Sequence, residues 1–132
     1  MKRAIGTDGA PRPIGPYSQA VAAGELVFCA GQIGLDPATA RLVPGGLAAE
    51  AARALENLAA VLAAVGLGLA DVVKTTVYLV DLGEGAVLNE VYGKYFPAPH
   101  PARATVQVAA LPAGARVEID AIAAARAAGQ ER

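Results

Sequence analysis

The sequence predicts an α+β domain, a mixed sheet of six strands with two helices on one face. Three observations predict it. Strand-like and helix-like patterns follow one another in the order β-β-(β)-α-β-α-β-β. The chain has 132 residues, the length of one domain with a sizeable core. No repeat, linker or charge block divides it, so residues 1–132 read as one domain with an ordered core from about 14 to 124.

Each element has its own signal. Residues 4–16 are rich in Gly and Pro and read as an extended lead-in. "YSQAVAAGELVFCAG" reads as a hairpin, with a strand over 17–22, a turn at Ala23-Gly24 and a strand over Glu25–Ala30. "LDPATARLVPGG" carries Pro37 and Pro44 and reads as a loop with a short strand at Arg41–Val43. Over 47–65, Leu47, Ala51, Leu55, Leu58, Leu62 and Val65 recur at helical steps and make one apolar stripe. Glu50, Arg53, Glu56 and Asn57 fall largely off that stripe, and Gly66 suits the left-handed residue that ends a helix.

"DVVKTTVYLVDL" is rich in β-branched residues and predicts a strand over 72–80. Apolar residues on both of its faces predict a central or interface-covered position. Asp81 and Glu84 have capping-box spacing for a second helix, which Pro97 stops. A strand over 102–110, a "LPAGA" turn and a strand over 116–124 complete the pattern as an expected hairpin. The tail "RAAGQER" has nothing to pack against and is expected to fray.

Composition narrows the function classes. Eleven Lys+Arg against twelve Asp+Glu give a formal net charge of -1, without the basic excess of a nucleic-acid binder. One Cys and one His, Cys29 and His100, rule out an intrachain disulfide and argue against a Cys/His metal site. No signal peptide or membrane span is visible, so the cytoplasm is the expected compartment. The mean hydropathy of +0.41 is high for a small soluble monomer. With helices on one face only, the other sheet face is expected to meet another subunit.

The last two strands carry the chemistry. Arg103, Thr105 and Gln107 alternate with Ala102, Ala104, Val106 and Val108. Arg116, Glu118 and Asp120 alternate with Val117, Ile119 and Ala121. If the apolar sides lie together over the helices, Arg103 and Glu118 share the other face. An arginine fork holds a carboxylate by two charge-assisted bonds, and a glutamate in a partly apolar site can take a proton from water. The same pair is also what a structural ion pair needs. Tyr17, Cys29, Asn89, His100 and Lys74 each have a plain packing or solvated role to set against a functional one.

"IGPYSQAV", "FCAGQIGLDP", "ALENLAAVL", "VVKTTVYLVDL", "NEVYGKYF" and "PARATVQVAALPAGARVEIDAIA" occur in this order. Together they resemble the RidA (YjgF-type) family of reactive-intermediate deaminases, from about Ile14 to Ala123. The resemblance implies a chorismate-mutase-like fold, a homotrimer with the sheets as a central barrel, and sites at subunit clefts. It implies hydrolysis of 2-enamino and 2-imino acids, such as 2-aminoacrylate and 2-iminopropionate, to 2-oxo acids and ammonia, with no cofactor or metal. By position, Arg103 matches the carboxylate clamp and Glu118 the glutamate that handles the attacking water. Tyr17 and Gly31 match substrate contacts, and Asn89 matches a cleft asparagine presented by the neighbouring subunit. Ala30 stands where many members carry serine and Thr105 where many carry cysteine, which bears on substrate preference. The resemblance leaves two alternatives, an RNA-cleaving inhibitor of translation and a non-catalytic, ligand-binding or chaperone-like trimer.

Overall fold

Strict alternation along the last strand sets the architecture. Val117, Ile119, Ala121 and Ala123 are buried, and Glu118, Asp120 and Ile122 between them are only partly covered. One face of that strand is therefore core and the other is not. The computed structural model describes residues 1–125. The fraying expected of "RAAGQER" lies outside the described residues.

The main sheet holds β1 (Lys2–Ile5), β2 (Ala20–Ala23), β3 (Leu26–Gln32), β6 (Val72–Leu79), β7 (Ala102–Gln107) and β8 (Val117–Ala124). Their spatial order is β1-β2-β3-β8-β6-β7. All neighbours are antiparallel except β6 and β7, which run parallel. Two short strands, β4 (Leu35–Asp36) and β5 (Arg41–Leu42), pair separately. Helices α1 (Gly46–Ala63) and α2 (Gly85–Tyr95) complete the fold. The mixed six-stranded sheet and its two helices are those the sequence predicts. The lead-in differs: β1 forms an edge strand, and Ile5 and Ala10 join the core, so packing starts before residue 14.

The stripe on α1 is the centre of the core, with Ala51, Leu55, Leu58 and Leu62 fully buried. The chain leaves α1 through Gly66 at φ 75°. Gly66 N–H donates to Ala63 O at 3.1 Å and Leu67 N–H to Leu62 O at 3.0 Å, the paired bonds of a Schellman stop. Glu50 and Asn57, expected off the stripe, are buried instead. Their polar groups are what the surrounding backbone needs. Glu50 Oε1 accepts the Arg116 N–H at 2.8 Å. Asn57 Nδ2 donates to Ile33 O and Leu35 O, and its Oδ1 accepts from Arg53 Nε. Both side chains thereby tie α1 to turns that have lost water. The expected capping box is half realised: Asp81 Oδ1 accepts the Gly83 N–H at 2.8 Å and caps a short 3-10 turn over Leu82–Glu84. Helix α2 follows from Gly85.

The expected hairpin between the last two strands does not form. Strand β6 lies between β7 and β8. The connection after β7 passes the end of β6, where Val108 N–H donates to Leu79 O and Val80 N–H to Arg116 O. The consequence for side chains is large. In the parallel register Arg103 lies beside Thr75, Thr105 beside Val77 and Gln107 beside Leu79. Thr75, Val77 and Leu79 face the helices and are buried. Arg103, Thr105 and Gln107 therefore point to the helix side, and Ala102, Ala104 and Val106 to the open side. The rule that the apolar side of a strand lies over the helices fails for β7, an edge strand whose apolar residues are exposed.

Candidate active site

The candidate residues fall into two groups, one on each side of the sheet. On the helix side, Arg103 reaches from β7 to α2. Its Nη2 donates to Asn89 Oδ1 at 2.7 Å, and its guanidinium carbon lies 4.7 Å from the centroid of the Tyr92 ring. Asn89 and Tyr92 are one helical turn apart, which places both on the side of α2 that meets β7. Tyr92 is itself fixed, because its hydroxyl and Thr75 Oγ1 are 2.7 Å apart and its ring packs 4.5 Å from Phe96. Charge-assisted bonding and the aromatic face hold a planar cation in one orientation. Asn89, Tyr92, His100, Pro101 and Arg103 line a cavity of about 250 Å³. His100 is oriented by its Nδ1, 3.1 Å from Phe96 O. Thr105 lies two residues along on the same face as Arg103, outside the walls of that cavity. Asn89 bonds the arginine of its own chain.

On the open side, Glu118 is half-buried. Tyr17, Gly31 and Glu118 line a second cavity of about 100 Å³ together with Arg12, Ile14 and Pro112. The glycine at 31 has a direct reason. A Cβ there would fall on the Glu118 carboxylate, with the carboxyl carbon only 2.8 Å away. The backbone of β3 bulges between Cys29 and Gln32, which brings Gly31 against the glutamate. Burial first, and the charge of Asp120 second, raise the Glu118 pKa above its ordinary value. Tyr17 enters from the loop before β2, 53% exposed, with its hydroxyl 3.5 Å from Ile14 N.

The polar row on β6 beside Glu118 and Asp120 escapes a reading of the sequence alone. Tyr78 lies opposite Glu118 in the β6–β8 register. Its hydroxyl donates to Asp120 Oδ2 at 2.9 Å, and Thr76 N–H donates to Asp120 Oδ1 at 3.1 Å. Lys74 Nζ donates to Thr76 Oγ1 at 3.1 Å on the same face. The signal was present as alternation in "KTTVY" and "VEID", but only the order of strands shows that these segments are neighbours.

The structure thus groups Arg103 with Asn89, and Glu118 with Tyr17 and Gly31. It does not bring Arg103 and Glu118 onto one face, contrary to the expectation built on the hairpin. Cys29 is buried and its thiol pKa is raised to about 11, first by burial and then by Asp120, so it packs rather than reacts. Among the described residues, no three His, Cys, Asp or Glu side chains come together as a metal site. No described helix is long and apolar enough to cross a membrane.

Comparison with known proteins agrees with this geometry. A family model described as endoribonuclease L-PSP matches residues 7–125. Protein DfrA of Myxococcus xanthus is 59% identical over 92% of this chain and 95% of its own length. The 2-iminobutanoate/2-iminopropanoate deaminase of Mus musculus is 51% identical over 93% of this chain and 91% of its own. The crystal structure of RidA from an Antarctic Psychrobacter superposes with a TM-score of 0.89 at 49% identity, covering 92% of this chain and 98% of that one. Sequence and architecture together place the chain in the RidA (YjgF) family, the family of the endoribonuclease L-PSP model.

Proposed function

We propose that this protein is a hydrolytic deaminase of reactive 2-enamino and 2-imino acids, including 2-aminoacrylate and 2-iminopropionate. The products are 2-oxo acids and ammonia. The observation that carries the reading is the pair of prepared groups: an arginine fork held by Asn89 and Tyr92, and a half-buried glutamate of raised pKa against Gly31. Relatives at about half identity are named for this reaction, which supports it.

Arg103 and Glu118 leave one chain from opposite sheet faces, so the reading includes a second copy. A homotrimer closed through the open faces sets Arg103, Asn89 and Thr105 of one chain against Tyr17, Gly31 and Glu118 of the next. Exposed Leu26, Phe28 and Val106 on that face support such a contact. In the shared cleft, Arg103 grips the substrate carboxylate. The cationic imine presents its carbon to a water held by Glu118. Water oxygen bonds to that carbon while Glu118 takes the water's proton, giving a carbinolamine. That proton then passes from Glu118 to the amine, and the ionised Glu118 takes the hydroxyl proton as the carbon–nitrogen bond breaks, so ammonia leaves a ketone behind. The iminium is already electrophilic, so positioning supplies much of the acceleration. Residues of this chain suffice for these steps, which take place in the cytoplasm.

The family model's description favours one other reading, cleavage of RNA. A serine dehydratase that generates 2-aminoacrylate separates the readings, with pyruvate formation followed with and without this protein. Faster pyruvate formation that is lost on Arg103→Ala supports the deaminase. Binding of the imino acid without ammonia release supports a non-catalytic trimer. RNA cleavage in metal-free buffer, abolished by Glu118→Gln, supports the nuclease.

A further inference from the structure

The polar group behind Glu118 has no role in the steps above. Asp120 sits two residues along β8, on the same face as Glu118. Its two carboxylate oxygens are occupied separately, Oδ1 by the Thr76 N–H at 3.1 Å and Oδ2 by the Tyr78 hydroxyl at 2.9 Å. Both donors come from β6, which lies between β8 and β7, and Tyr78 is the residue directly opposite Glu118. A backbone donor and a tyrosine therefore fix the position of a negative charge beside the proposed base. On a face that also carries Phe28, Ile122 and Val106, these two hydrogen bonds hold the carboxylate in one place.

We infer that Asp120 is a positioning residue for Glu118, a fixed negative charge that makes the glutamate readier to take the proton of the attacking water. The inference rests on the reading under Proposed function and adds a residue to it. Every charged or titratable group on this face bears on the balance. From β6 come Lys74 and Tyr78; from the loop before β2 come Arg12 and Tyr17; just before β8 comes Arg116, whose Nη1 is turned to Glu84 Oε1 at 3.3 Å; β3 brings Phe28, Ala30 and Gly31, which carry no charge. Lys74 and Arg12 oppose Asp120. Lys74 Nζ is turned to Thr76 Oγ1, and Arg12 lies 3.9 Å from Asp8 with both side chains exposed to solvent. Burial is the larger cause of the raised Glu118 pKa, and Asp120 is the acidic neighbour that raises it further. A like charge at short range favours the protonated state of the neighbouring carboxyl, and a stronger base gains in general-base catalysis.

The test compares Asp120→Asn, which removes the charge and keeps the shape, with Asp120→Glu, which keeps the charge. The Glu118 side-chain carboxyl is titrated by carbon-detected NMR in each, and kcat/KM for 2-iminopropionate is followed against pH. With Asp120→Asn, both the Glu118 midpoint and the acid limb of kcat/KM move to lower pH. The plateau of kcat falls, and KM holds because Arg103 still grips the carboxylate. Asp120→Glu restores the midpoint toward that of the parent. Tyr78→Phe keeps the charge, so the midpoint stays while the Asp120 resonances broaden. An unchanged Glu118 midpoint in Asp120→Asn, or the same displacement in Asp120→Glu, overturns the inference. If the parent hydrolyses no imine, the functional reading fails, and the NMR titration still decides whether Asp120 governs Glu118.

Discussion

The two faces of the sheet solve different problems. The helix-covered face is closed by Leu55, Leu58, Val61 and Leu62 against Val77, Val117 and Ile119, all fully buried. Its fully buried polar side chains, Asn57 and Thr75, each have a hydrogen-bond partner. The open face leaves Phe28 43% and Val106 41% exposed and carries Glu118, Asp120, Tyr78 and Lys74 among them. One face holds the fold together and the other is a surface waiting for chemistry and company. The comparison teaches that a complete fold is not a complete site, because Arg103 and Glu118, the proposed clamp and base, belong to different faces.

The sharpest way to break that comparison is complementation. Arg103→Ala and Glu118→Gln, assayed alone, each lower kcat/KM for 2-iminopropionate by about 10²–10³-fold. Unfolded together in equal amounts and refolded, they recover roughly a quarter of the parental activity. The arithmetic follows from a three-fold ring. Roughly three quarters of random trimers contain both chains, and in each of those one site of the three draws both residues from intact donors. If one chain supplied both groups to a site, the mixture would stay as inactive as its parts.

A second contrast sets core against surface. Leu58→Ala on the covered face lowers the unfolding free energy by about 2–5 kcal/mol, measured by urea titration. Phe28→Asp on the open face leaves the circular dichroism of the fold in place, and sedimentation shows smaller species than the parent. An equal loss of secondary structure in both would make the faces equivalent. Smaller again is Asn57→Ala, which strands the Ile33 and Leu35 carbonyls and costs about 1–3 kcal/mol by the same titration.

The smallest effect concerns pH. The Glu118 pKa is raised on folding, so between its unfolded and folded values the folded chain binds more protons than the unfolded one. Stability contributed by the protonated form is lost as pH rises through that window. Glu118→Gln removes the dependence. The variant melts closer to the parent at low pH and above it at neutral pH, as calorimetry at two pH values would reveal. A gap that narrows as pH rises would reverse the sign of the proposed burial cost.

Much of this was legible in the residues. The α1 stripe, the Gly66 stop and the β-branched run of β6 each announce themselves locally, because spacing along the chain is spacing in space. The error over Arg103 arose where that equivalence ends. Amphipathic alternation in β7 states that two faces differ but not which of them meets the helices. The choice depends on β6 entering between β7 and β8, a long-range event that no short window contains. Glu50 and Asn57 misled for a related reason. Their polarity suggested solvent, yet buried backbone donors and carbonyls of distant loops needed partners. The family-matched residues Tyr17, Gly31 and Glu118 do converge in one cavity, and Arg103 and Asn89 in another.

The two cavities also differ in how they are written along the chain. Asn89, Tyr92, His100 and Arg103 all fall within the single unit formed by α2, β7 and the turn between them. Tyr17, Gly31, Pro112 and Glu118 are gathered from four separate stretches. The carboxylate-gripping half is therefore a cassette. A segment covering residues 85–107 carries these four residues together, and needs Thr75 of β6 beside it to hold the Tyr92 hydroxyl. The residues around Glu118 have no such portability, and any change to them must be made one residue at a time across the sheet.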